Sequence, residues 1–442
     1  MISLLGMLVV MEMLETNTNT ASTTTNTKTK LPKAPEIQDI FRIYGGAYRQ
    51  KHKDKLPTHI HKTMRDIEDC RTATLGGHVR ACGDCATKEI AYNSCRNRHC
   101  PKCQTLSKER WIEGQKANLL NIGYFHVVFT MPNTLSSVAF QNQRVVYNIL
   151  FKSVAETLNE LAADPKHLGG QIGFTSILHT WGQNLAHHPH IHCIVPGGGI
   201  APDGSWVNSK YQGKKGKEFL IPVRVLSRKF RGKFLHYLKQ AYKSGELSFH
   251  GHLTTIGSWG RFQNFLGSLY AKEWYVYCKR PFITTDAVIE YLGRYTHRVA
   301  ISNNRIVSCD DKKVRFKWRD NKDDSKWKVM ELRADEFIRR FLIHVLPPLF
   351  MKIRHYGLLG NRNKKEKIKT CKELTNTQVQ SGNQDPAKTS THELILRITG
   401  LDITKCPACG SGNILKMDLP SRSTTNIRSN PTNKAPPRML TA

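Results

Sequence analysis

Six cysteines lie between residues 70 and 103, and their spacing restricts how this part of the chain can fold. Two C-x-x-C pairs, Cys82-Gly-Asp-Cys85 and Cys100-Pro-Lys-Cys103, are separated by fourteen residues. This is the spacing of two zinc knuckles that close one four-thiolate site, and buried free cysteines would not produce it. Because segment 70–104 has few large aliphatic side chains, it needs metal cross-links to fold. The sequence therefore predicts a structural zinc site at these four cysteines.

Further candidate ligands lie close to the two pairs. They are Cys70, His78, Cys95 and His99. Together with the two pairs they are numerous enough for a second closed zinc site, although ordinary packed side chains are the alternative. A third pair, Cys406-Pro-Ala-Cys409, is half a knuckle, and its second half could come from Cys371 or His392.

The charge of the chain points to a polyanionic partner. There are 67 Lys and Arg residues against 35 Asp and Glu, a net charge of +32 that is spread along the chain. Nucleic acid is the usual partner of such a protein. Arg96 and Arg98 alternate with the cysteines, so the zinc module is expected to present a basic face to phosphates, with a solvated surface as the alternative.

Composition also indicates the cellular compartment of the protein and the character of the two ends of the chain. Closely spaced cysteines favour metal ligation in a reducing compartment, and the cytoplasm is the expected location. The apolar start is too short to span a bilayer and carries Glu12 and Glu15, so no membrane segment is expected. Residues 1–34 and 416–442 are too polar, or too rich in Thr, Asn and Pro, to pack, and we expect a disordered leader and tail.

Hydrophobic periodicity divides the rest of the chain into three predicted domains, and the mixture of strands and helices indicates an α+β fold. A helical arm and the zinc module occupy 35–115. A central domain, 120–305, holds a strand from Tyr124, a long helix to Ala163, and strands at 172–181 and 191–196 joined by a polar turn. A helix is expected at 285–297. A basic C-terminal domain, 306–415, begins with a hairpin around Asp310.

Two histidines are placed for metal chelation. The spacing of His190-Ile-His192 puts both imidazoles on one face of a strand and turns Ile191 to the core. Such a pair can chelate one divalent cation, although two hydrogen-bonded strand histidines are the alternative. A metallo-hydrolase of the H-x-H-x-D-H type is disfavoured, because Cys193 and Ile194 follow and no Asp does.

Two tyrosines are placed on one face of the helix at 285–297. Tyr291 and Tyr295 are four residues apart, so their hydroxyls lie side by side. Arg294 and Arg298 form a second pair beside them. Tyrosine pairs on helices are usually core residues, but packing in a core is less expected in so cationic a run.

These motifs occur together in a known family. The string His187-His-Pro-His-Ile-His-Cys-Ile-Val-Pro-Gly-Gly-Gly and the string Tyr291-Leu-Gly-Arg-Tyr-Thr-His-Arg resemble the two-tyrosine HUH transposases of rolling-circle insertion sequences of the insertion sequence ninety-one type. The upstream Tyr92-Asn-Ser-Cys-Arg-Asn-Arg-His-Cys-Pro-Lys-Cys-Gln is similar to the zinc-binding domain of that family, and Arg354-His-Tyr-Gly-Leu-Leu to its C-terminal part. The similarity runs from about residue 37 to 410 in the family's order.

The resemblance implies an HUH endonuclease domain, with a central antiparallel sheet and flanking helices, preceded by a small zinc-binding module. It implies that His190 and His192 hold catalytic Mg²⁺ or Mn²⁺. A polar residue before the pair, Gln183, is the preferred third ligand. His179 is the alternative, because a hairpin turning near Leu185 would bring it about opposite His192. His188 and the helix neighbours of Tyr291 also remain open.

The resemblance further implies that Tyr291 and Tyr295 are nucleophiles that cut single-stranded DNA and become joined to the five-prime phosphate. It implies a bacterial protein that acts on nucleoid DNA, with the zinc module binding the hairpin-bearing element end and with Arg96, Arg98, Arg294 and Arg298 contacting DNA. A rolling-circle replication initiator or relaxase shares this site chemistry. A non-catalytic zinc-finger DNA-binding protein is the alternative of a different class.

The charge generates a first prediction. DNA affinity should fall steeply with salt, because each neutralised phosphate releases counterions, with a log–log slope of about −0.9 per phosphate contacted on duplex DNA. Fluorescence anisotropy across a salt series measures this slope. A flat response would show that the charge is not used to bind DNA.

Overall fold

The structure, a computed structural model, describes residues 34–209, 211–213, 217–282, 285–297, 299–321, 323–377 and 389–421. The predicted leader, apart from residue 34, and the tail beyond residue 421 lie outside the described residues. In the part of the chain that the structure describes, no helix is long and apolar enough to cross a membrane.

The chain divides into two compact units. The large unit comprises Met1–Glu68 and Arg96–Ile403, and the small unit comprises Asp69–Cys95 and Thr404–Ala442. This differs from the predicted domains, because the zinc-binding cysteines do not form one continuous module within 35–115 and the C-terminal residues are split between both units. The predicted boundaries fail because distant strands pair with one another, which local sequence patterns do not reveal.

The large unit is built on a five-stranded sheet in which all neighbouring strands are antiparallel. Its strands are β3 (Tyr124–Thr130), β4 (Gly173–Trp181), β5 (His187–Pro196), β10 (Val276–Phe282) and β14 (Ile353–Gly357). Their order across the sheet is β10-β3-β5-β4-β14. The central domain therefore extends past residue 305, its predicted end, because β14 supplies one edge of the sheet. The expected α+β class with a central antiparallel sheet is confirmed.

Alternation along β3 separates the two faces of this sheet. Phe125, Val127 and Phe129 turn to the main core, where they meet helices α5 (Gln143–Ala163) and α6 (Val223–Lys243). The residues between them turn to the opposite face, where Tyr124 packs in a second cluster with a further helix, α8 (Thr285–Thr296). Helices thus cover both faces of the sheet.

The other helices of the large unit flank this core or precede it. They are α1 (Ile37–Lys51), α2 (Thr58–Asp69, which ends at the boundary with the small unit), α3 (Gln104–Lys116), α4 (Ser136–Gln141), α7 (Trp259–Tyr270), α9 (Ala334–Leu342), α10 (Lys364–Leu374) and α11 (Thr391–Thr399). The predicted helical arm and the predicted helix at 285–297 are confirmed. The long helix expected to Ala163 is interrupted at Asn142.

Smaller sheets complete the large unit. They are β11 (Ile306–Asp310), β12 (Lys313–Asp320) and β13 (Lys326–Arg333) in one antiparallel sheet, β6 (Gly198–Ile200) with β7 (Trp206–Asn208), and β8 (Tyr211–Gly213) with β9 (Lys217–Phe219). The hairpin expected around Asp310 is present, but the sequence analysis missed its third strand, β13.

The small unit is a three-stranded antiparallel sheet. Its strands β1 (Gly77–Cys82), β2 (Lys88–Tyr92) and β15 (Ile414–Leu419) occur in the order β15-β1-β2. Strand β15 pairs with β1 over six residue pairs, from Gly77 opposite Leu419 to Cys82 opposite Ile414. Part of the predicted disordered tail is therefore a strand, and this pairing brings the C-terminal cysteine pair to the N-terminal one.

Candidate metal centre, tyrosine site and zinc knuckles

Three histidines converge on one face of the central sheet. The ligand atoms of His179, His190 and His192 lie within 4.8 Å of one another. His179 of β4 is directly opposite His190 of β5, and His192 follows two residues later on the same face. Ile191, between them, is fully buried in the main core. The predicted arrangement of the histidine pair on its strand is therefore present.

Hydrogen bonds orient two of these imidazoles. His190 Nδ1 lies 2.7 Å from the carbonyl oxygen of His188, to which it donates, so the lone pair of the neutral ring is on Nε2. His192 Nδ1 lies 2.9 Å from Nε2 of His126, which leaves Nε2 as the ligand atom of His192. Orientation of metal-ligating imidazoles through the other ring nitrogen is typical of metal sites.

The hairpin turn between β4 and β5 is held by side chains from further along the chain. Three successive carbonyl oxygens of the turn accept hydrogen bonds: Gln183 from Arg305 at 2.5 Å, Asn184 from Arg340 at 3.2 Å and Leu185 from His344 at 3.1 Å. Leu185 has a φ of 61°, a left-handed conformation that costs a non-glycine residue energy, and these contacts stabilise it. Burial lowers the pKa of His344 to about 3, so this donor is a neutral imidazole.

The turn corrects the preferred third ligand. Gln183 lies in the turn beyond the end of β4, with its carbonyl bonded to Arg305, whereas His179 belongs to the three-histidine group. The turn near Leu185 is present as expected, but His179 is opposite His190 rather than His192. Trp181 pairs with His187, so the turn is centred before Leu185, and this brings His190 instead of His192 opposite His179. His188, another open candidate, contacts Asn133 through its Nδ1 at 3.0 Å.

Tyr291 reaches the histidines from α8. Its hydroxyl forms a hydrogen bond with His126 Nε2 and lies 3.3 Å from His192 Nδ1, and the side chain is 7% exposed. Gly293 helps to position the helix, because an added Cβ there would lie 2.8 Å from Cδ1 of Ile112 on α3. The motif Tyr-Leu-Gly therefore combines the tyrosine with a residue small enough for close helix packing.

Other residues of the predicted tyrosine motif are described less fully. Tyr295 and Arg294 lie on α8 as expected, but their side chains lie outside the described part of the structure. Arg298 also lies outside the described residues.

The sequence analysis missed His126, which lies between the tyrosine and the metal-site histidines. Its ring is 4.5 Å from that of Tyr291 and 5.2 Å from that of His192. It is 6% exposed. A histidine in the apolar strand Tyr-Phe-His-Val-Val-Phe was the available signal, because a buried polar side chain requires a partner.

Four cysteines converge in the small unit. Cys82, Cys85, Cys406 and Cys409 have sulfurs within 4.8 Å of one another, with 3.6 Å between Cys82 and Cys409 and also between Cys85 and Cys406. A tetrahedral site with Zn–S bonds of about 2.3 Å requires sulfurs about 3.8 Å apart, so the group fits zinc. The pair Cys82 and Cys85 was predicted to share a site with Cys100 and Cys103, and this pairing is wrong.

The two knuckles of this group have the same backbone structure. The amide of Cys82 donates to the carbonyl of Thr87, and the amide of Cys406 donates to that of Ser411. In each turn the fifth residue donates back to the carbonyl of the first cysteine and has a positive φ, 58° at Ala86 and 75° at Gly410. The half-knuckle Cys406 and Cys409 is thus completed by the equivalent knuckle Cys82 and Cys85.

Neither residue proposed to complete that half-knuckle belongs to the group. Cys371 is buried on α10, where burial raises its pKa to about 11. His392 bonds through Nε2 to Asp402 at 2.8 Å. In the small unit, hydrogen bonds with Thr87, and also with neighbouring thiols, lower the pKa of Cys85 to about 6, which favours the thiolate that zinc binds.

The remaining predicted residues of the cysteine segment are divided between the two units. Cys100 and Cys103 lie in the large unit, and Cys70, His78 and Cys95 in the small one. His99 is buried in the large unit, with Nε2 3.4 Å from the amide of Leu346. Arg98 was predicted to contact DNA, but it donates to the carbonyls of Pro347 and Phe350 at 2.9 and 2.5 Å, because its half-buried guanidinium needs partners there. Arg96 is the first residue of the second segment of the large unit.

Comparison with known proteins identifies relatives over most of the chain. Residues 173–367 match the family model described as "Putative transposase", and residues 40–131 match the model described as "Transposase zinc-binding domain". The chain is 48% identical over 386 residues to the Sinorhizobium fredii protein named "Putative transposase y4qJ", a match covering 87% of this chain and 95% of that protein.

Two other comparisons are more distant. The transposase for insertion sequence element IS801 of Pseudomonas savastanoi pv. phaseolicola is 28% identical over 310 residues, or 68% of this chain and 72% of that protein. A solved structure of the conjugative relaxase TrwC in complex with oriT DNA is 12% identical, with a TM-score of 0.23, and covers 59% of this chain and 95% of that one. A TM-score this low does not establish a shared fold.

The α+β fold and the strand-borne His-Ile-His motif beside a helix-borne tyrosine define a protein of the HUH class. Sequence identity of 48% across nearly the whole of a relative, together with matches to both transposase domain models, is more specific. The chain belongs to the IS91-type family of transposases. The resemblance drawn from its motifs is confirmed, and its association with DNA, recombination and zinc follows from the family.

The small-unit site generates a second prediction. Cys406→Ser should remove one zinc equivalent per chain and disorder the small unit, because few apolar side chains would hold its strands together without the metal. Metal analysis and limited proteolysis measure the two effects. Cys309→Ser, at a half-buried cysteine of β11 in the large unit, is the matched control and should change neither. Full zinc content in Cys406→Ser would contradict this site.

Proposed function

We propose that this transposase cuts and rejoins single-stranded DNA at the ends of its element through a covalent five-prime phosphotyrosine. The position of the Tyr291 hydroxyl carries the proposal. It is bonded to His126 and lies 3.3 Å from His192 Nδ1, at the edge of the three-histidine group. A tyrosine that served only to pack the core would not require two imidazoles at its hydroxyl.

His179, His190 and His192 fit a divalent cation, because all three offer ring nitrogens at one point and the first two lie on paired strands. When bound, the cation polarises a non-bridging phosphate oxygen and offsets the charge that develops during attack. Imidazole ligands suit Mn²⁺ better than Mg²⁺, which prefers oxygen ligands. We therefore favour Mn²⁺ of the two ions that the sequence analysis proposed.

The covalent step needs a tyrosine held in place. The Tyr291 phenol oxygen forms a bond to phosphorus, the bond between phosphorus and the three-prime oxygen breaks, and the phenol proton is transferred so that the leaving oxygen ends as a hydroxyl. His126 orients the phenol through its hydrogen bond. One phosphate ester replaces another, so the step is reversible and needs no nucleotide hydrolysis. This reversibility suits strand transfer.

Two tyrosines on one helix would allow two successive cleavage steps in transposition. Tyr295 is one turn beyond Tyr291 on α8, so the two positions share a helix face. We propose that one tyrosine retains the element end while the other cuts a second strand. Arg294, Arg298 and Arg96 are proposed to contact DNA phosphates, and the zinc knuckles to bind the element end.

Family membership favours transposition over the other functions that share these motifs. A replication initiator or relaxase would use the same chemistry, but the two relatives described above are named as transposases. Covalent adduct formation separates the enzyme from a non-catalytic zinc-binding protein. We place the activity on nucleoid DNA in the bacterial cytoplasm, where thiolates remain reduced.

A second zinc site is proposed at Cys100 and Cys103. With Cys82 and Cys85 assigned to the small-unit group, the other ligands must come from the four candidates of the cysteine segment. His99 bonds through Nε2 to a backbone amide, and His78 lies on β1 opposite Asp418 and Ala91, which disfavours both imidazoles. Cys70 and Cys95 therefore complete the proposed set.

The second zinc generates a third prediction. Purified protein should contain two zinc ions per chain, and Cys95→Ser or Cys100→Ser should remove one of them, because four thiolates are needed to close a structural site. His78→Gln and His99→Gln should retain both ions, as should the control Cys371→Ser. Metal analysis of each variant measures the content. Loss of zinc in either histidine variant would contradict the four-cysteine assignment.

The tyrosines generate the fourth prediction. A single-stranded oligonucleotide carrying the element end, incubated with protein and Mn²⁺, should give an adduct that survives denaturing electrophoresis and is removed by nuclease. Replacing Tyr291 and Tyr295 together by Phe should abolish the adduct and leave DNA binding intact, because only two hydroxyls are lost. His190→Ala with His192→Ala should also abolish it, through loss of the cation.

Single variants and a matched control sharpen this test. Tyr124→Phe removes a buried hydroxyl from the same apolar cluster, but one bonded to the backbone of Leu120, and it should still form the adduct. Each single variant at Tyr291 or Tyr295 should cut once and fail to complete strand transfer. If Tyr291→Phe removes all cleavage and Tyr295→Phe changes nothing, Tyr295 is a packing residue. Adducts in the double variant would overturn both assignments.

A further inference from the structure

Two tyrosines on the edge strand β10 are exposed to solvent next to the metal centre. Tyr275 is 80% exposed and Tyr277 is 57% exposed. Tyr275 immediately precedes the first residue of β10, and Tyr277 is its second residue. Aromatic rings of this size are usually buried, and exposed aromatic side chains beside a functional site indicate a binding surface.

Strand register places both tyrosines on the face that carries the histidines. Tyr277 is opposite Val128 of β3, and Val128 is in turn opposite His192 of β5. Directly opposite residues of antiparallel strands point to the same face. Neighbouring strands are about 4.8 Å apart, so the backbone of Tyr277 is about 10 Å from that of His192.

Tyr275 lies beside the neighbouring set of opposite residues, which contains His190 and His179. The amide of Thr130 donates to the carbonyl of Tyr275 at 3.0 Å, and Thr130 is opposite His190, which is opposite His179. Each set of directly opposite residues that contains a histidine of the three-histidine group therefore ends at an exposed tyrosine on the sheet edge.

Tyr277 is also close to Tyr291, the proposed nucleophile, through His126. The Tyr277 ring lies 6.4 Å from that of His126 in an edge-to-face arrangement, and His126 bonds to the Tyr291 hydroxyl. A nucleotide next to a phosphate held at the histidines would reach this ring. The established positions of His126 and Tyr291 thus connect the exposed aromatic surface to the reacting atoms.

Single-stranded DNA is the ligand that fits this surface. Unpaired bases offer flat π-faces that stack on tyrosine, whereas the bases of a duplex are stacked on each other and expose only their edges. The net charge of +32 favours a polyanion, which an apolar protein partner would not require. Phenol rings also tolerate any base sequence, because every base has a π-face.

We infer that Tyr275 and Tyr277 form a base-stacking platform that holds the unpaired nucleotides flanking the scissile phosphate. The inference rests on the proposed function, since it names the contacts made by the same single-stranded substrate. The hydroxyls take no part in it, and the rings carry the interaction.

Binding of a fluorescent oligothymidylate of about 20 nucleotides, measured by anisotropy in EDTA, tests the platform without cleavage. Tyr277→Ala and Tyr275→Ala should each raise Kd roughly 5- to 150-fold, whereas Tyr277→Phe and Tyr275→Phe should bind like the unsubstituted protein. Affinity for a duplex of the same length should be unchanged in all four variants. Tyr270→Ala, at a tyrosine that is 60% exposed at the end of α7 and stacked against Arg231, is the matched control and should have no effect.

Four other results would contradict the proposal of a base-stacking platform. Unchanged single-strand affinity in both alanine variants would contradict it, and equal loss of duplex affinity would indicate a general electrostatic or folding effect. If the alanine variants instead change the oligomeric mass in size-exclusion chromatography with unaltered DNA affinity, the surface is an interface between copies of the chain. Loss of the covalent adduct in the phenylalanine variants would show that a hydroxyl acts chemically.

Failure of the platform and failure of the proposed function give different results. The anisotropy measurement requires no cation and no nucleophile, so it can succeed even if the protein never forms a covalent adduct. Conversely, adduct formation at saturating DNA should survive in Tyr277→Ala, because its nucleophile and histidines are intact. An adduct with normal affinity in the alanine variants would therefore reject the platform and leave the phosphotyrosine proposal standing.

Discussion

The antiparallel pairing of β4 with β5 is the contact on which the rest of the site depends. It places His179 opposite His190 and turns both, with His192, to one face. Leu178 and Ile191 turn to the other face and are buried in the main core. A slip of one residue would exchange the two faces and bury imidazoles in place of aliphatic side chains. Core packing therefore fixes the strand register and, with it, the positions of the three histidines.

Local patterns were sufficient for the parts of this site that lie within one element. A run of β-branched and aromatic residues predicted β3, and two apolar runs joined by a polar turn predicted the hairpin. Four-residue spacing predicted that Tyr291 and Tyr295 share α8. The histidine pair was recognised because both of its members lie on one strand. His126 was not recognised, because its role depends on β3 lying beside β5, a pairing that no pattern within β3 specifies.

Long-range pairing limited what spacing could predict about the cysteines. A C-x-x-C pair identifies a knuckle, but all such pairs are chemically alike, so spacing does not select the partner. Cys82 lies against Cys409, 327 residues away in the sequence, because β15 adds to the edge of β1. The nearest pair in the sequence was therefore the wrong partner. The matching turns at Ala86 and Gly410 reveal the correct one only in three dimensions.

The hairpin turn also changes how the positive charge of the chain should be interpreted. Arg305 and Arg340 donate to carbonyl oxygens of the turn, and Arg98 donates to carbonyls preceding β14. These guanidinium groups are partly buried and stabilise the backbone to which they donate, so they are less accessible to phosphates. Net charge therefore overstates the number of DNA contacts. It also follows that most of segment 306–415, predicted as a separate basic domain, is structurally part of the large unit, since Arg340 and His344 hold the turn that positions the histidines.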